Sequence, residues 1–174
     1  MNIAVSDSED KEYGVAQSAT TNDNLRIDLS SKDWFVFNDN YGTSEEKFLV
    51  KFINKIFDKL KLQFSDIYLV RNERHFKIYN FDDGRPLEPD FLLFLTDKKK
   101  KVSLHYQIFI EPKGQHLLAN DEWKEKFLKV LKDDHKIEQL WKDKKYTIWG
   151  MPFFNEELRK QIFEEEFNKV FTHD

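Results

Sequence analysis

Phe91-Leu92-Leu93-Phe94-Leu95 and the stretch from Val102 to Ile110 are two nearly unbroken apolar runs, separated by Lys98-Lys99-Lys100-Lys101. Short apolar runs bounded by turn chemistry suit strands covered on both faces. The lysines suit a solvated connection. The pair is therefore predicted to form a β-hairpin inside a layered fold, and that prediction fixes a register. With the turn centred between Lys100 and Lys101, Asp90 falls opposite Glu111. Glu111 and Lys113 are two apart and share a strand face, and a directly opposed residue shares it too. Three ionisable groups then meet at one rim of the sheet. A slip of one residue would send Asp90 to the other face.

The flanking segments supply the layers. After the turn chemistry of Asn38-Asp39-Asn40-Tyr41-Gly42, Thr43 or Ser44 can cap a helix over about 44–61. Phe48, Leu49, Phe52, Ile53, Ile56, Phe57 and Leu60 recur along it at helical spacing. Short strands are expected at 67–70 and 76–79, with a turn at Asp82-Asp83-Gly84-Arg85. Asn120 can open a second helix with Trp123, Phe127, Val130 and Leu131 inward. A strand at 146–149 and a closing helix over 155–171, with Leu158, Ile162, Phe163, Phe167 and Val170, complete the order. The expected class is α/β, a mixed β-sheet flanked by helices in the order αβββαβ.

Charge separates the front of the chain from the body. Residues 1–46 hold ten acids and three bases, whereas residues 47–174 hold 22 acids and 25 bases. Residues 1–29 read as a flexible acidic tail or linker, with a domain over 30–174. A mildly basic body leaves nucleic acid open as a partner through a local site. The 174 residues include no cysteine, which excludes disulfides, thiolate metal sites and a cysteine nucleophile. No apolar run approaches the ~18 residues of a membrane span. With no targeting signal in view, a cytoplasmic location and no membrane partner are expected.

Two carboxylates crowded on central strands repel each other and lose hydration, so a compensating positive charge is expected. Lys113 supplies one charge, and a divalent cation suits the rest. Carboxylates, a backbone carbonyl and water are the oxygen donors Mg²⁺ takes. Pro112 has no N–H to give the sheet, and its carbonyl is a candidate ligand beside Asp90 and Glu111. Lys113 would orient water or neutralise charge on a phosphate. A third carboxylate is expected from the first helix. Glu45 falls within its apolar face and Glu46 toward the margin, and favourable placement at the helix dipole is the plain alternative for both.

The segments Gly42-Thr43-Ser44-Glu45-Glu46-Lys47, Leu69-Val70-Arg71-Asn72-Glu73, Pro89-Asp90-Phe91-Leu92-Leu93 and Ile110-Glu111-Pro112-Lys113-Gly114 carry a resemblance. Together they resemble the PD-(D/E)xK nuclease superfamily, and more narrowly the C-terminal endonuclease domain of the Res subunit of type III restriction enzymes. The resemblance covers about residue 30 to the end. It implies a restriction-endonuclease-like core and Mg²⁺-dependent hydrolysis of double-stranded DNA, with Asp90 and Glu111 on metal, Lys113 assisting the attacking water and Glu45 in support. It also implies a helicase or translocase module in the same longer protein, a methyltransferase partner, and a role in phage defence. ATP would enter only through that motor, since these residues hold no G-x-x-x-x-G-K-[ST] loop. The rival expectation is a catalytically inactive nucleic-acid-binding or interaction domain attached to a helicase.

Arg71, Asn72 and Arg74 sit between two short strands. A turn is one reading and a DNA contact is the other. Gln115 follows the candidate site and is a further DNA-contact candidate. The lysine run, about 25–30 Å from Asp90 at ~3.3 Å per residue, reads as a solvated turn.

Overall fold

The computed structural model describes residues 10–80, 82–98, 103–133, 139–141 and 144–173. Along them run α1 (Ser44–Gln63), β1 (Asp66–Arg71), β2 (Ile78–Tyr79), β3 (Pro86–Leu87), β4 (Phe91–Asp97), β5 (Ser103–Ile110), α2 (Glu122–Asp133), β6 (Gln139–Trp141), β7 (Lys144–Gly150) and α3 (Lys160–Phe171). Five strands form one sheet in the order β1-β4-β5-β7-β6, and β2 pairs with β3 apart from it. β5 and β7 run parallel; the other neighbours are antiparallel. The sheet is therefore mixed and the class is α/β with helices on both faces. Residues 99–102, which include most of the lysine run, lie outside the described residues. Lys98 is exposed and pairs with Asp66 at 3.3 Å.

The hairpin register is the expected one: Phe91 pairs with Ile110 and Leu93 with Ile108. Alternation along these strands divides the core in two. Phe91, Leu93, Leu95, Ile108 and Ile110 face α1 and α3, where Leu49, Phe52, Ile53, Phe163 and Phe167 meet them. Leu92 and Phe109 face the other way, toward Phe127, Leu128 and Leu131 of α2. α2 lies close on the sheet because β7 ends in Gly150. A methyl group there would fall 2.0 Å from the Leu128 carbonyl oxygen.

Several expectations need correction. Val130, Leu158 and Ile162 are exposed, and Leu128 takes the inward place on α2. The closing helix starts only at Lys160, because Asn155 builds a turn first. Its Oδ1 accepts the Glu157 and Leu158 N–H groups. Strand β6, at the sheet edge, was not foreseen. Beside β1, Phe35 makes one parallel bridge to Leu69.

The flexible tail expected over 1–29 is corrected for residues 10–29. Leu25 and Leu29 are buried, and so is Gln17, whose Nε2 donates to the carbonyls of Leu25 and Lys47, both at 2.9 Å. The Asp10 carboxylate accepts from the Ser44 N–H at 2.9 Å and its hydroxyl at 2.8 Å, at the start of α1. Lys47, fully buried, reaches Glu12. Hydropathy missed this because polar side chains bonding to backbone dock the segment, with few apolar anchors.

Candidate functional site at the sheet rim

Asp90 directly precedes β4 and Glu111 directly follows β5, so the last ladder pair sets them side by side. The Asp90 N–H donates to Glu111 Oε2 at 3.1 Å. β5 continues as a ladder beyond Ile110: Phe154 N–H donates to the Glu111 carbonyl, and Lys113 N–H donates to the Phe154 carbonyl. Peptide groups alternate in direction along a strand. The Pro112 carbonyl therefore points away from Phe154, toward the Asp90 side. Lys113 Nζ lies 2.9 Å from Glu111 Oε1 and 2.9 Å from Asp121 Oδ2. The sequence-derived trio of Asp90, Glu111 and Lys113 is thus assembled at one rim.

It sits on the face that carries Leu92 and Phe109, the face covered by α2. This parity brings in two residues the sequence reading missed. Asp121, just before α2, binds Lys113. Lys124, one turn on, lies 3.4 Å from Asp121 Oδ2 and 3.7 Å from Glu111 Oε1. Their only signal was proximity to a helix start, which says nothing about Lys113, eight residues before Asp121, or Glu111, thirteen before Lys124.

Electrostatics at the rim are lopsided. Burial pushes the Asp90 carboxyl well above the ordinary range, the Glu111 and Glu46 charges push further, and Lys113 and Lys124 only partly offset them. For Lys113, burial favours the neutral amine, but Glu111, Asp121 and more distantly Asp90 outweigh it. Its ammonium is therefore held well above the usual lysine range. A group so firmly protonated can donate or neutralise; it cannot accept a proton near neutral pH.

The helix-borne acid is corrected. Glu45 does not join the trio, because α1 covers the opposite face. Its carboxylate accepts from Asn155 Nδ2 at 3.3 Å and from the Glu156 N–H at 3.0 Å. Burial raises it to about 7; the Glu156 N–H works against this, and the Glu156, Glu157 and Asp10 charges add to it. Asn155 also donates to the Lys113 carbonyl at 2.9 Å, so Glu45 buttresses the strand behind Lys113. Glu46 is the acid whose charge reaches Asp90 across the rim. It closes a capping box with Thr43 and lies 3.6 Å from Arg71.

Arg71 is held between Glu46 and Glu73, the latter at 2.9 Å. Asn72 builds the turn that was one of its two readings. Its Nδ2 donates to the Phe76 and Pro89 carbonyls, and its Oδ1 accepts the His75 and Phe76 N–H groups. Gln115 is exposed at the head of a short 3₁₀ turn, Gln115–Leu117, beyond Lys113. Among the described residues, no group of three or more His, Asp or Glu side chains is arranged to hold a metal ion. Any cation at the rim would rely on Asp90, Glu111, a carbonyl and water.

Fold and site together define an α/β domain with an acid–acid–lysine cluster at the end of its central hairpin, Glu111 and Lys113 buried and Asp90 partly so. The chain belongs to the HI_1054_C family of C-terminal domains, which it matches over residues 13–174. That match begins within the docked leader. Over 150 residues the chain is 42% identical to an uncharacterized protein of Haemophilus influenzae. The alignment covers 82% of this chain and 32% of that protein, so the chain spans about a third of the length of the curated relative it matches. No solved structure matches. No described helix is long and apolar enough to cross a membrane.

Proposed function

We propose that this domain is the Mg²⁺-dependent endonuclease module of a type III restriction system, with a restriction-endonuclease-like core acting on double-stranded DNA. The observation that carries the reading is the Asp90–Glu111–Lys113 cluster. Two carboxylates share a rim, Asp90 carries more negative surroundings than its neighbours compensate, and an ammonium is fixed beside them. The donor set is all oxygen and suits a hard divalent cation.

In this reading Asp90, Glu111 and the Pro112 carbonyl hold the ion. When bound, Mg²⁺ would supply Lewis acidity at the phosphate and lower the pKa of bound water. Lys113, kept protonated and aimed by Glu111 and Asp121, neutralises charge developing on the phosphate or orients the attacking water. Glu45 and Asn155 brace the Lys113 backbone. Delivery to DNA falls to an ATP-driven helicase or translocase module of the longer protein and to a methyltransferase partner that reads the site.

One observation favours a second reading, a nucleic-acid-binding or interaction domain without catalysis. Lys113 is itself a counter-charge to both Glu111 and Asp121, at 2.9 Å from each. Mn²⁺ titration followed by electron paramagnetic resonance separates the two. Saturable binding that Asp90→Ala abolishes, together with loss of cleavage in the assembled complex, is expected for the nuclease. Cleavage that survives Asp90→Ala overturns it.

A further inference from the structure

Between β1 and β2, Arg74 holds φ at +64°, in the left-handed region. A side chain there costs of order 1 kcal/mol or more against glycine and persists only where the surroundings impose it. The surroundings do so through Asn72. Its side chain makes four hydrogen bonds, at 2.8–3.1 Å, that close residues 72–76 into a loop and tie it to the Pro89 carbonyl. Its backbone N–H donates to the Asp90 carbonyl at 2.7 Å. Phe76 seats the far side of the loop, stacked on Phe109 at 5.6 Å between ring centroids. The loop is therefore anchored to the residue pair that carries the candidate site. Arg74, two residues from Asn72, lies within about 7 Å of it along the chain.

The neighbouring cations are accounted for. Arg71 pairs with Glu73 and Glu46, Lys77 with Glu88 at 3.0 Å, and Arg85 with Asp83 while lying over the Trp123 ring. No described carboxylate pairs with Arg74, which is exposed and adds its positive charge to that of Lys77. A strained, exposed arginine without a counter-charge, on a loop stapled to the site rim, has no evident task in holding the fold.

We infer that the 72–76 loop presents Arg74 to a backbone phosphate of duplex DNA passing Asp90. This deepens the nuclease reading and rests on it for the choice of ligand. A phosphate contact of this kind carries no sequence information and sets the register of the strand against the site.

The test is fluorescence anisotropy of a labelled duplex oligonucleotide with the 174-residue chain across a salt series, in Ca²⁺ to hold off cleavage. Each phosphate contact contributes about 0.9 to the slope of log K against log salt. Arg74→Ala and Arg74→Gly should each lower that slope by about one and weaken binding roughly tenfold near 0.1 M salt. Arg74→Lys should restore the slope. Arg74→Gly should also leave the melting temperature unchanged or raised, a result that a structural role for the side chain would reverse. Wild-type slope and affinity in both the alanine and glycine variants overturn the inference, as does failure of the wild-type chain to bind duplex DNA. A slope change in a protein complex that never cleaves keeps this inference and removes the nuclease reading alone.

Discussion

The two ends of the β4–β5 hairpin bear ion pairs of opposite character. At the far end Lys98 and Asp66 meet at 3.3 Å with side chains 59% and 40% exposed. At the rim Lys113 and Glu111 meet at 2.9 Å with side chains 10% and 2% exposed. Charge types match, and so nearly do the distances. Water makes the difference. An exposed pair is screened and contributes about 0–1 kcal/mol. A buried one has lost hydration that its partner must replace, so removing either member leaves an uncompensated charge. The rim pair also has a second acid on one side, Asp90, and a second cation on the other, Lys124. A cluster of that kind is a poor device for stability alone.

The comparison breaks most sharply at Asp90. On the proposed nuclease reading, Asp90→Ala should abolish Mn²⁺ binding and reduce DNA cleavage by the assembled complex by about 10³-fold, read by plasmid nicking and linearisation. Without metal, Asp90→Asn should raise the melting temperature at neutral pH. The carboxyl is raised in the folded chain, so its ionised form opposes folding once pH passes above the unfolded value of 3.8. A melting temperature that falls instead would mean that Asp90 has a stabilising partner.

Lys113→Met should reduce cleavage by about 10²–10³-fold while Mn²⁺ still binds. It should also destabilise by about 3–5 kcal/mol by stranding Glu111, measured by urea unfolding. Cleavage near the wild-type rate would remove the assigned role of the ammonium.

A smaller effect is expected at Glu45. Its folded value of about 7 exceeds the reference 4.5, so the folded chain binds the extra proton between them. Its contribution to stability then falls as pH rises through that window, and the penalty is complete above about pH 7. Glu45→Gln should remove that slope and stabilise at pH 8 by about 1 kcal/mol, after allowance for partial solvent exposure. An unchanged slope in thermal melts from pH 5 to 8 would place the titration elsewhere. The smallest effect belongs to the far end: Lys98→Ala should change stability by no more than about 0.5 kcal/mol and leave Mn²⁺ binding intact. A loss comparable to that of Lys113→Met would erase the contrast between the two ends.

Much of the fold was legible along the chain because its signals are local. Leu49, Phe52, Ile53 and Leu60 mark α1 by spacing, and the two apolar runs mark β4 and β5. A strand has a period of two, so symmetry about the turn was enough to set Asp90 beside Glu111. Exposure at Val130, Leu158 and Ile162 was not legible, because periodicity names a face without saying how far the opposing layer extends. Nor was the docking of residues 10–29, where Gln17 and Asp10 act through bonds to distant backbone. The candidate site divides the same way. Its two strand-borne acids and Lys113 came from register; Asp121 and Lys124 did not, because α2 reaches the rim only after the chain leaves the sheet and returns.

The sequence by itself determined α1, β4 and β5, the hairpin register and the meeting of three charged groups, all consequences of short-range periodicity. The tertiary structure alone decided which helix shares their face. Adjacent residues on α1 thereby part company: Glu45 braces a backbone from behind, and Glu46 projects its charge across the rim to Asp90. Residues one apart on a helix point about 100° apart. What each of them meets depends on the neighbouring layer, and no local pattern encodes that.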